Sequence, residues 1–403
     1  MAMKKGKKRQ QQSTGARVNG NAQRKESWKE EKLVQIHQYL NSDPVDVDNL
    51  RRAAVSEGGL LTDELRRKVW PKLLNVNVYN LPARPSKDVR KNHKDFNQVL
   101  LDVRRSMKRF PKGMRADTRQ VLQEKLIDII LVILQKNPAL NYYQGYHDIV
   151  VTFLLVVGER LAIAMVETLS KHHLRDFMDP TMDSTKHILN YLFPILEEVD
   201  PELHDFMLRS EVGSVFALSW LITWYGHVLS EFRHILRLYD FFLASHPLMP
   251  IYFAAVIVLH REKVVKRTEC DMAMVHHLLS QIPQDLPYEE LISQAHSLFN
   301  RAPPSVLARR AALQSRTSVT INCFTDFQKT TRQQRPDSVL RRQLLRGRER
   351  GGVAPDSPLT GATASNQLVK MAFWGISATL GAAVLAVAQT AVDWAPEFIV
   401  QLF

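Results

Sequence analysis

The sequence has few cysteines and little β-type patterning. Its two cysteines, Cys270 and Cys323, are among 403 residues, so it cannot form a disulfide framework, and neither lies in a metal-ligand spacing. Such a chain suits a reducing compartment. Residues 1–25 lack the apolar central region of a secretory signal peptide. Alternating polar and apolar residues are scarce, and the repeated βαβ spacing of a Rossmann-type or P-loop enzyme is absent. The scarcity of strand-like and βαβ patterns favours an all-α fold.

Positive charge is concentrated in two flanking segments. Residues 1–32 and 301–350 together carry more positive charge than the net charge of +13, so the remainder is slightly acidic. The folded part is therefore not a basic nucleic-acid-binding domain, and no nucleic-acid partner is expected. We interpret residues 1–26 as a disordered basic tail and 301–366 as a flexible basic arm. The alternative is a nucleic-acid-associated membrane protein, but the basic segments lack interleaved aromatic residues, and anionic lipids would attract them equally well.

An uncharged apolar segment lies near the C-terminus. Residues 371–392 read MAFWGISATLGAAVLAVAQTAV, which as a helix is long enough to cross about 30 Å of hydrocarbon. Basic residues precede the segment, whereas Asp393 and Glu397 follow it, so the positive-inside preference places the N-terminal part in the cytosol. We predict a single C-terminal transmembrane helix, a tail anchor in contact with membrane lipid, with residues 393–403 as a short luminal tail. The alternative is a buried or amphipathic helix.

Residues 27–300 have the periodicity of one helical domain. Helical pattern begins near Trp28. Residues 126–134 and 149–157 are nearly continuous apolar runs that are too short to span a bilayer, so we predict buried core helices. The apolar stretch 238–259 contains charged and proline residues, which favours two core helices joined by a His-Pro turn over a second membrane span.

The segment that begins at Asp95, DFNQVLLDVRRSMKRF, is predicted to be an amphipathic helix. Its apolar stripe recurs at the helical repeat through Phe110. Arg105 points away from this stripe, and Asp102 stands at the (i, i−3) position, from which its carboxylate can hold the guanidinium. The alternative is a solvated basic face with a surface ion pair worth about 0–1 kcal/mol.

The loop NYYQGY at residues 141–146 connects the two apolar helices. Gln144 carries an amide that can donate and accept hydrogen bonds, which suits the orientation of a water molecule. Gly145 permits a tight turn or a close backbone approach. The alternative is a tyrosine-rich turn whose rings fill the core.

Together the two elements resemble the TBC domain, the helical module of Rab GTPase-activating proteins. The family's arginine motif, an aliphatic residue followed at fixed spacing by Asp and Arg, matches Val99, Asp102 and Arg105. Its glutamine motif, Tyr-x-Gln, matches Tyr142 and Gln144. The segment LRRKVWPKLL resembles the opening motif, and SWLITWYGHVLSEFRHILRLYDFFL resembles the later helices. The motif-bearing part covers about residues 58–260, and the anchor resembles that of a tail-anchored endoplasmic-reticulum member of the family.

Three departures from the family pattern stand out. Val99 replaces the usual isoleucine, and Tyr239 stands where the family generally has tryptophan. After the glutamine motif the family usually continues Met-Asn, whereas this chain has Tyr146 and His147. The last change bears on the geometry of the loop beside the nucleotide.

The resemblance implies a function in trans. Arg105 would be an arginine finger and Gln144 a glutamine finger that complete the active site of a GTP-bound Rab, so the chain would be a GTPase activator and not an enzyme by itself. GTP and magnesium would belong to the Rab, and the chain would need no cofactor or metal of its own. The implied supporting residues are Asp102, Tyr142, Gly145 and Arg66. The implied location is the endoplasmic-reticulum membrane or the Golgi, in early secretory traffic.

Two other functions compete with this one. A catalytically silent Rab-binding scaffold would have the same fold, although binding alone would not require both fingers.

His147 and Asp148 also match the metal-binding dyad of the HD phosphohydrolases. That fold needs further ligands, and the remaining histidine candidates form adjacent pairs, which point about 100° apart in a helix. We therefore predict no metal site.

Overall fold

The computed structural model describes residues 27–106, 109–111, 113–310 and 318–351. These residues form α-helices and short 3-10 helices, and none of them lies in a β-strand, in agreement with the predicted all-α fold. Contacts divide the chain into the units Met1–Gly347 and Arg348–Phe403. The hydrophobic core lies in the first unit.

The helices of the first half precede or contain the predicted motifs. They are α1 (27–41), α2 (Val47–Val55), α3 (Asp63–Leu73), α4 (Phe96–Arg105), α5 (Ala116–Lys136), α6 (Tyr146–Val157), α7 (Glu159–Lys171), α8 (Asp183–Leu189) and α9 (Leu192–Val199).

The helices of the second half continue beyond the predicted domain end. They are α10 (Pro201–Arg209), α11 (Leu218–Ile222), α12 (Phe232–Ala244), α13 (Met249–His260), α14 (Glu262–Arg267), α15 (Met272–Ser280), α16 (Tyr288–Arg301), α17 (Pro304–Arg310), α18 (Val319–Thr331) and α19 (Asp337–Gly351).

The most apolar segments form the centre of the core, as predicted. Most residues of α5 from Leu126 to Leu134 are buried, and so are nearly all residues of α6. The apolar stretch 238–259 forms parts of α12 and α13, which are joined at a turn that contains His246 and Pro247. Because α13 is buried on nearly every side, its sequence is continuously apolar without being a membrane span.

A buried carboxylate joins the N-terminal helices to α12. Asp240 is 0% exposed and accepts hydrogen bonds from Arg66 Nε at 3.1 Å and Nη2 at 2.9 Å. It also accepts bonds from Trp70 Nε1 at 2.8 Å and from the amide of Leu60 at 3.0 Å. The charge is therefore both paired and fully hydrogen-bonded, which is what burial of a carboxylate requires.

The prediction of a flexible arm over residues 301–366 is wrong for the part that forms α18. Phe324 and Phe327 of this helix are each only 6% exposed and belong to the core. Asp176 caps the start of α18, because its carboxylate accepts hydrogen bonds from the Ser318 hydroxyl and from the amides of Val319 and Thr320. The helical domain thus extends past residue 300.

Several predictions fall outside the described residues. These are the basic tail at 1–26, the transmembrane helix at 371–392 and the luminal tail at 393–403. Among the helices that are described, none combines the length and the apolar character that crossing a membrane requires.

Candidate functional site

Arg105 is the last residue of α4. The helix packs through Val99 and Val103, which are fully buried. It was predicted to continue to Phe110, but it ends at Arg105, and the hydroxyl of the next residue, Ser106, donates to the carbonyl of Val103 at 2.8 Å. Phe110 is nevertheless buried beyond the helix end.

The Arg105 side chain is exposed and forms no hydrogen bond or ion pair with any described residue. Asp102, predicted to hold it, is 2% exposed and has other partners. Its carboxylate accepts from Gln98 Nε2 at 3.0 Å and from the Tyr142 hydroxyl at 2.9 Å. Asp102 thus fixes the helix that carries Arg105 and leaves the guanidinium free to reach a partner protein.

The Tyr142 hydroxyl connects the loop to α4. Besides its bond to Asp102, it lies 3.3 Å from Nδ1 of His147. Burial, followed by the negative charge of Asp102, raises the pKa of Tyr142 far above its usual value. The phenol therefore stays neutral and acts as a hydrogen-bond donor at physiological pH.

The loop exposes Gln144 between residues that are tied to the core. Tyr143 donates its hydroxyl to the carbonyl of Ile222 at 3.0 Å, and Tyr146 starts α6 fully buried. Gln144 itself is exposed and makes no hydrogen bond with the described part of the chain. Gly145 has φ of 108°, and a Cβ there would stand 2.9 Å from Cγ2 of Thr223. Only glycine combines this backbone with this contact without strain.

A second buried carboxylate, Asp148, lies in the first turn of α6. Arg109 Nε lies 3.4 Å from Asp148 Oδ1, and Nδ1 of His227 lies 3.5 Å from Oδ2. Burial acts to raise the pKa of Asp148, but His227, His147 and Arg109 together hold it below its usual value. Burial in turn lowers the pKa of His147.

This cluster was not predicted from the sequence. Asp148 attracts a guanidinium, Arg109, which would repel a metal ion. The pairing of Asp148 with His227 has no local signal, because 79 positions separate the two residues.

Arg66, predicted to support the site, contacts neither Arg105 nor Gln144. Its guanidinium is occupied by Asp240 and by Asp63, at 2.8 Å from Nη1. Its contribution is therefore to the buried connection between α3 and α12.

The geometry brings two complementary groups onto neighbouring elements. Arg105 presents a permanent cation, and Gln144 presents an amide that can bind water. The Asp102–Tyr142 bond links the helix of the first to the loop of the second. Both groups lack partners within the described residues, so both are free to contact a second molecule.

The chain is similar to known proteins in sequence and in fold. Residues 63–265 match the family model described as the Rab-GTPase-TBC domain. The chain is 64% identical to TBC1 domain family member 20 of Homo sapiens, over 95% of this chain and 94% of that protein. It is 31% identical to the GTPase-activating protein gyp10 of Schizosaccharomyces pombe, over 66% of this chain and 72% of that protein.

A solved structure shows the same fold. The crystal structure of the Ypt/Rab-GAP domain of Gyp1p aligns with 67% of this chain and 98% of its own length, with a TM-score of 0.54 at 15% identity. With the family model and the close relatives, these findings show that the chain belongs to the Rab-GTPase-TBC domain family.

Proposed function

We propose that this chain, a TBC-domain GTPase-activating protein for Rab GTPases, accelerates GTP hydrolysis by supplying Arg105 and Gln144 in trans. GTP and magnesium are bound by the Rab. The chain has the role of an activator that completes the active site of its partner. The observation that supports this most directly is that two exposed groups without partners, Arg105 and Gln144, lie on elements joined by the Asp102–Tyr142 bond.

Arg105 has the charge and the position of an arginine finger. Negative charge develops on the phosphate oxygens during GTP hydrolysis. An arginine supplied in trans stabilises this charge and raises the rate about 10³- to 10⁵-fold, which lowers the barrier by roughly 4–7 kcal/mol. At the C-terminal end of a helix packed through Val99 and Val103, the side chain can extend into a partner without losing an internal bond. Its desolvation on docking is compensated by the phosphates it contacts.

Gln144 is suited to orienting the attacking water. Its amide oxygen can accept a hydrogen bond from the water while its NH₂ group donates one to the γ-phosphate region. The loop holds it between the hydrogen-bonded side chains of Tyr142 and Tyr143 and the closely packed Gly145, so its backbone loses little entropy on docking. Positioning of this kind is the main contribution that an activator makes.

We further propose that the chain acts on the cytosolic face of the endoplasmic-reticulum or Golgi membrane. The support for this is the uncharged segment 371–392, its basic flank and the acidic residues that follow it. Rabs of traffic between these compartments would then be the substrates, since the anchor confines the activator to their membranes.

Single-turnover GTP hydrolysis across a panel of purified Rabs tests the mechanism. The fragment that ends at Gly347 is compared with its Arg105→Ala and Gln144→Ala variants. Arg104→Ala is the matched control, because Arg104 is the exposed neighbour on the same turn of α4. We expect strong acceleration of a few Rabs, lost by about 10³-fold or more in Arg105→Ala and greatly reduced in Gln144→Ala, with Arg104→Ala near wild type.

The same experiment separates activation from silent binding. If the wild-type fragment binds a Rab in its GTP form but accelerates none, the scaffold function replaces the activator function. If acceleration survives Arg105→Ala, the arginine finger lies elsewhere.

A further inference from the structure

A cavity of about 800 Å³ lies apart from the candidate site. It is open to solvent on one side, is lined by residues of α2, α16, α18 and the turn between α12 and α13, and shares no lining residue with the site. Met249, Phe299 and Phe324 form much of its apolar wall. Its size is in the range of pockets that bind small molecules.

A buried arginine, Arg51, lines this cavity and forms only long hydrogen bonds. Arg51 is 7% exposed. Its Nη1 donates to the carbonyls of Leu243 at 3.4 Å and Ala244 at 3.2 Å, and its Nη2 to the carbonyl of Leu73 at 3.4 Å and the hydroxyl of Thr331 at 3.5 Å. These distances are at the long end of the hydrogen-bond range.

Arg51 also lacks a negatively charged partner in the part of the chain that is described. The nearby Asp48 carboxylate lies 3.1 Å from Arg332 Nε, and Glu289 pairs with Arg237 at 2.7 Å. Burial lowers the pKa of Arg51 to about 10, so the group is still charged at neutral pH. Buried charges in proteins are normally paired, and a cation in this state stabilises a bound anion.

His246 adds a neutral donor to the same wall. Its Nδ1 accepts the amide hydrogen of Leu248 at 3.1 Å, which assigns the proton of the neutral ring to Nε2. Burial lowers the pKa of His246 to about 4. The cavity therefore has one buried positive charge, at Arg51.

We propose that this cavity binds a long-chain carboxylate of the fatty-acid type. The carboxylate pairs with the guanidinium of Arg51, whose Nε makes no hydrogen bond to the described residues and whose four Nη bonds are all long, at 3.2–3.5 Å. The alkyl chain lies along Phe299 and Phe324. A doubly charged phosphate headgroup fits less well, because Arg51 is the one buried cation of the lining and Glu57 and Glu289 offset the exposed Arg52. This inference does not depend on the GTPase-activating mechanism.

Photocrosslinking of the full-length chain in lipid nanodiscs tests the proposal. A photoreactive fatty acid is crosslinked, and unlabelled oleate or oleyl alcohol is added as competitor. We expect the probe to label peptides of α13, α16 or α18, with oleate competing at about 10- to 100-fold lower concentration than the alcohol, which is the effect of one hydrogen-bonded charge.

Three variants locate the binding in the cavity. Arg51→Met removes the charge, and we expect it to abolish the advantage of oleate over oleyl alcohol. Ser293→Trp fills the cavity from an exposed position on α16, whereas Gln294→Trp places the same ring at the next position, which is also exposed, does not line the cavity and points about 100° away. We expect Ser293→Trp to abolish labelling and Gln294→Trp to retain it, and Rab activation to be unchanged in both.

The proposal is overturned by any of three results. The first is an absence of label in all three cavity helices, and the second is equal competition by oleate and oleyl alcohol in the wild-type chain. The third is equal labelling of the two tryptophan variants. Because the tryptophan variants retain Arg51, they stay informative even if Arg51→Met fails to fold.

Discussion

The hydroxyl of Tyr142 donates a 2.9 Å hydrogen bond to the carboxylate of Asp102, one helical turn before Arg105. This bond connects α4 to the loop that exposes Gln144. The relative position of the two exposed groups is therefore set by a buried contact between residues 40 positions apart in the chain. A change at this contact should alter the function without touching either finger.

We expect Tyr142→Phe to lower both stability and activation. The substitution leaves one oxygen of the buried Asp102 without its donor, which costs about 1–3 kcal/mol of unfolding free energy. The Gln144 loop then loses its bond to α4, so the single-turnover rate should fall while Rab binding persists. Urea unfolding and single-turnover hydrolysis measure the two effects.

The matched control for this change is Tyr39→Phe in α1. Tyr39 is also half-buried, but its hydroxyl has no hydrogen bond to the described residues, so both measurements should stay near wild type. A Tyr142→Phe variant that is destabilised yet fully active would show that the bond serves the fold and not the positions of the two groups.

We expect Gly145→Ala to lower both thermal stability and GTPase activation, for two separable reasons. Its φ of 108° is unfavourable for alanine, and the new Cβ would stand 2.9 Å from Cγ2 of Thr223. Such backbone strain costs about 1–3 kcal/mol. Gly213→Ala isolates the strain of a positive φ, because nothing lies within 4 Å of a Cβ at Gly213.

The clash at Gly145 can be relieved independently. Thr223→Ser removes Cγ2 but keeps the hydroxyl that donates to the carbonyl of Ser219 at 2.6 Å. The double variant should therefore regain part of the thermal stability and part of the activation that Gly145→Ala loses. If the second substitution recovers nothing, the contact with Thr223 does not limit this turn.

We expect a fragment that ends at Asn300 to be much less stable than one that ends at Gly347. The shorter fragment lacks α18, and with it the buried rings of Phe324 and Phe327, each worth about 1.5–3 kcal/mol of burial. It also leaves the buried Asp176 without its bonds to the start of α18. Denaturant unfolding of the two fragments measures the difference. Equal midpoints would mean that α18 contributes nothing to the fold.

The helix α18 shows where sequence reasoning reaches its limit. The surrounding residues 301–366 are rich in Arg, Gln, Ser and Thr, and the buried side chains of α18 are two phenylalanines and two threonines. The residue that caps it, Asp176, lies 142 positions before Ser318. No local pattern reports a cap supplied from such a distance, whereas α5, α6 and α13 have an apolar composition that identifies them at once.

The sequence also predicted the candidate site only in part. The resemblance of two motifs to a known family singled out Arg105 and Gln144; both side chains are exposed in the structure, and their roles as fingers stay predictions. Tyr142 and Asp240, the buried partners of Asp102 and Arg66, were not predictable, since they lie 40 and 174 positions away. The apolar stripe continues to Phe110, so it gives no indication that α4 ends at Arg105.

Stability should fall steeply in mild acid, largely because of His173. This residue is 2% exposed, and neither ring nitrogen has a hydrogen-bond partner in the described structure. Rings of Trp224, Phe324 and Phe327 surround it, with centroids 6.2, 5.9 and 5.8 Å away. Burial, with smaller contributions from nearby cationic groups, holds the pKa of His173 well below its usual value.

The direction of the pH effect follows from this lowered pKa. Below about pH 6.5 the unfolded chain binds a proton at His173, whereas the folded chain does not. The unfolding free energy therefore falls by up to about 1.4 kcal/mol for each unit by which the pH is lowered. His246, with its pKa near 4, contributes a similar slope between about pH 6.5 and 4.

The His173→Leu variant tests this origin of the acid sensitivity. Leucine keeps an apolar side chain among the three rings and removes the titrating group, so the unfolding free energy measured in urea from pH 7 to 5 should fall less steeply than in the wild type. His260→Leu is the control, because His260 is exposed, and its slope should match the wild type. If the two variants have the same slope, His173 binds its proton equally in both states, and the acid sensitivity must come from His246 or other groups.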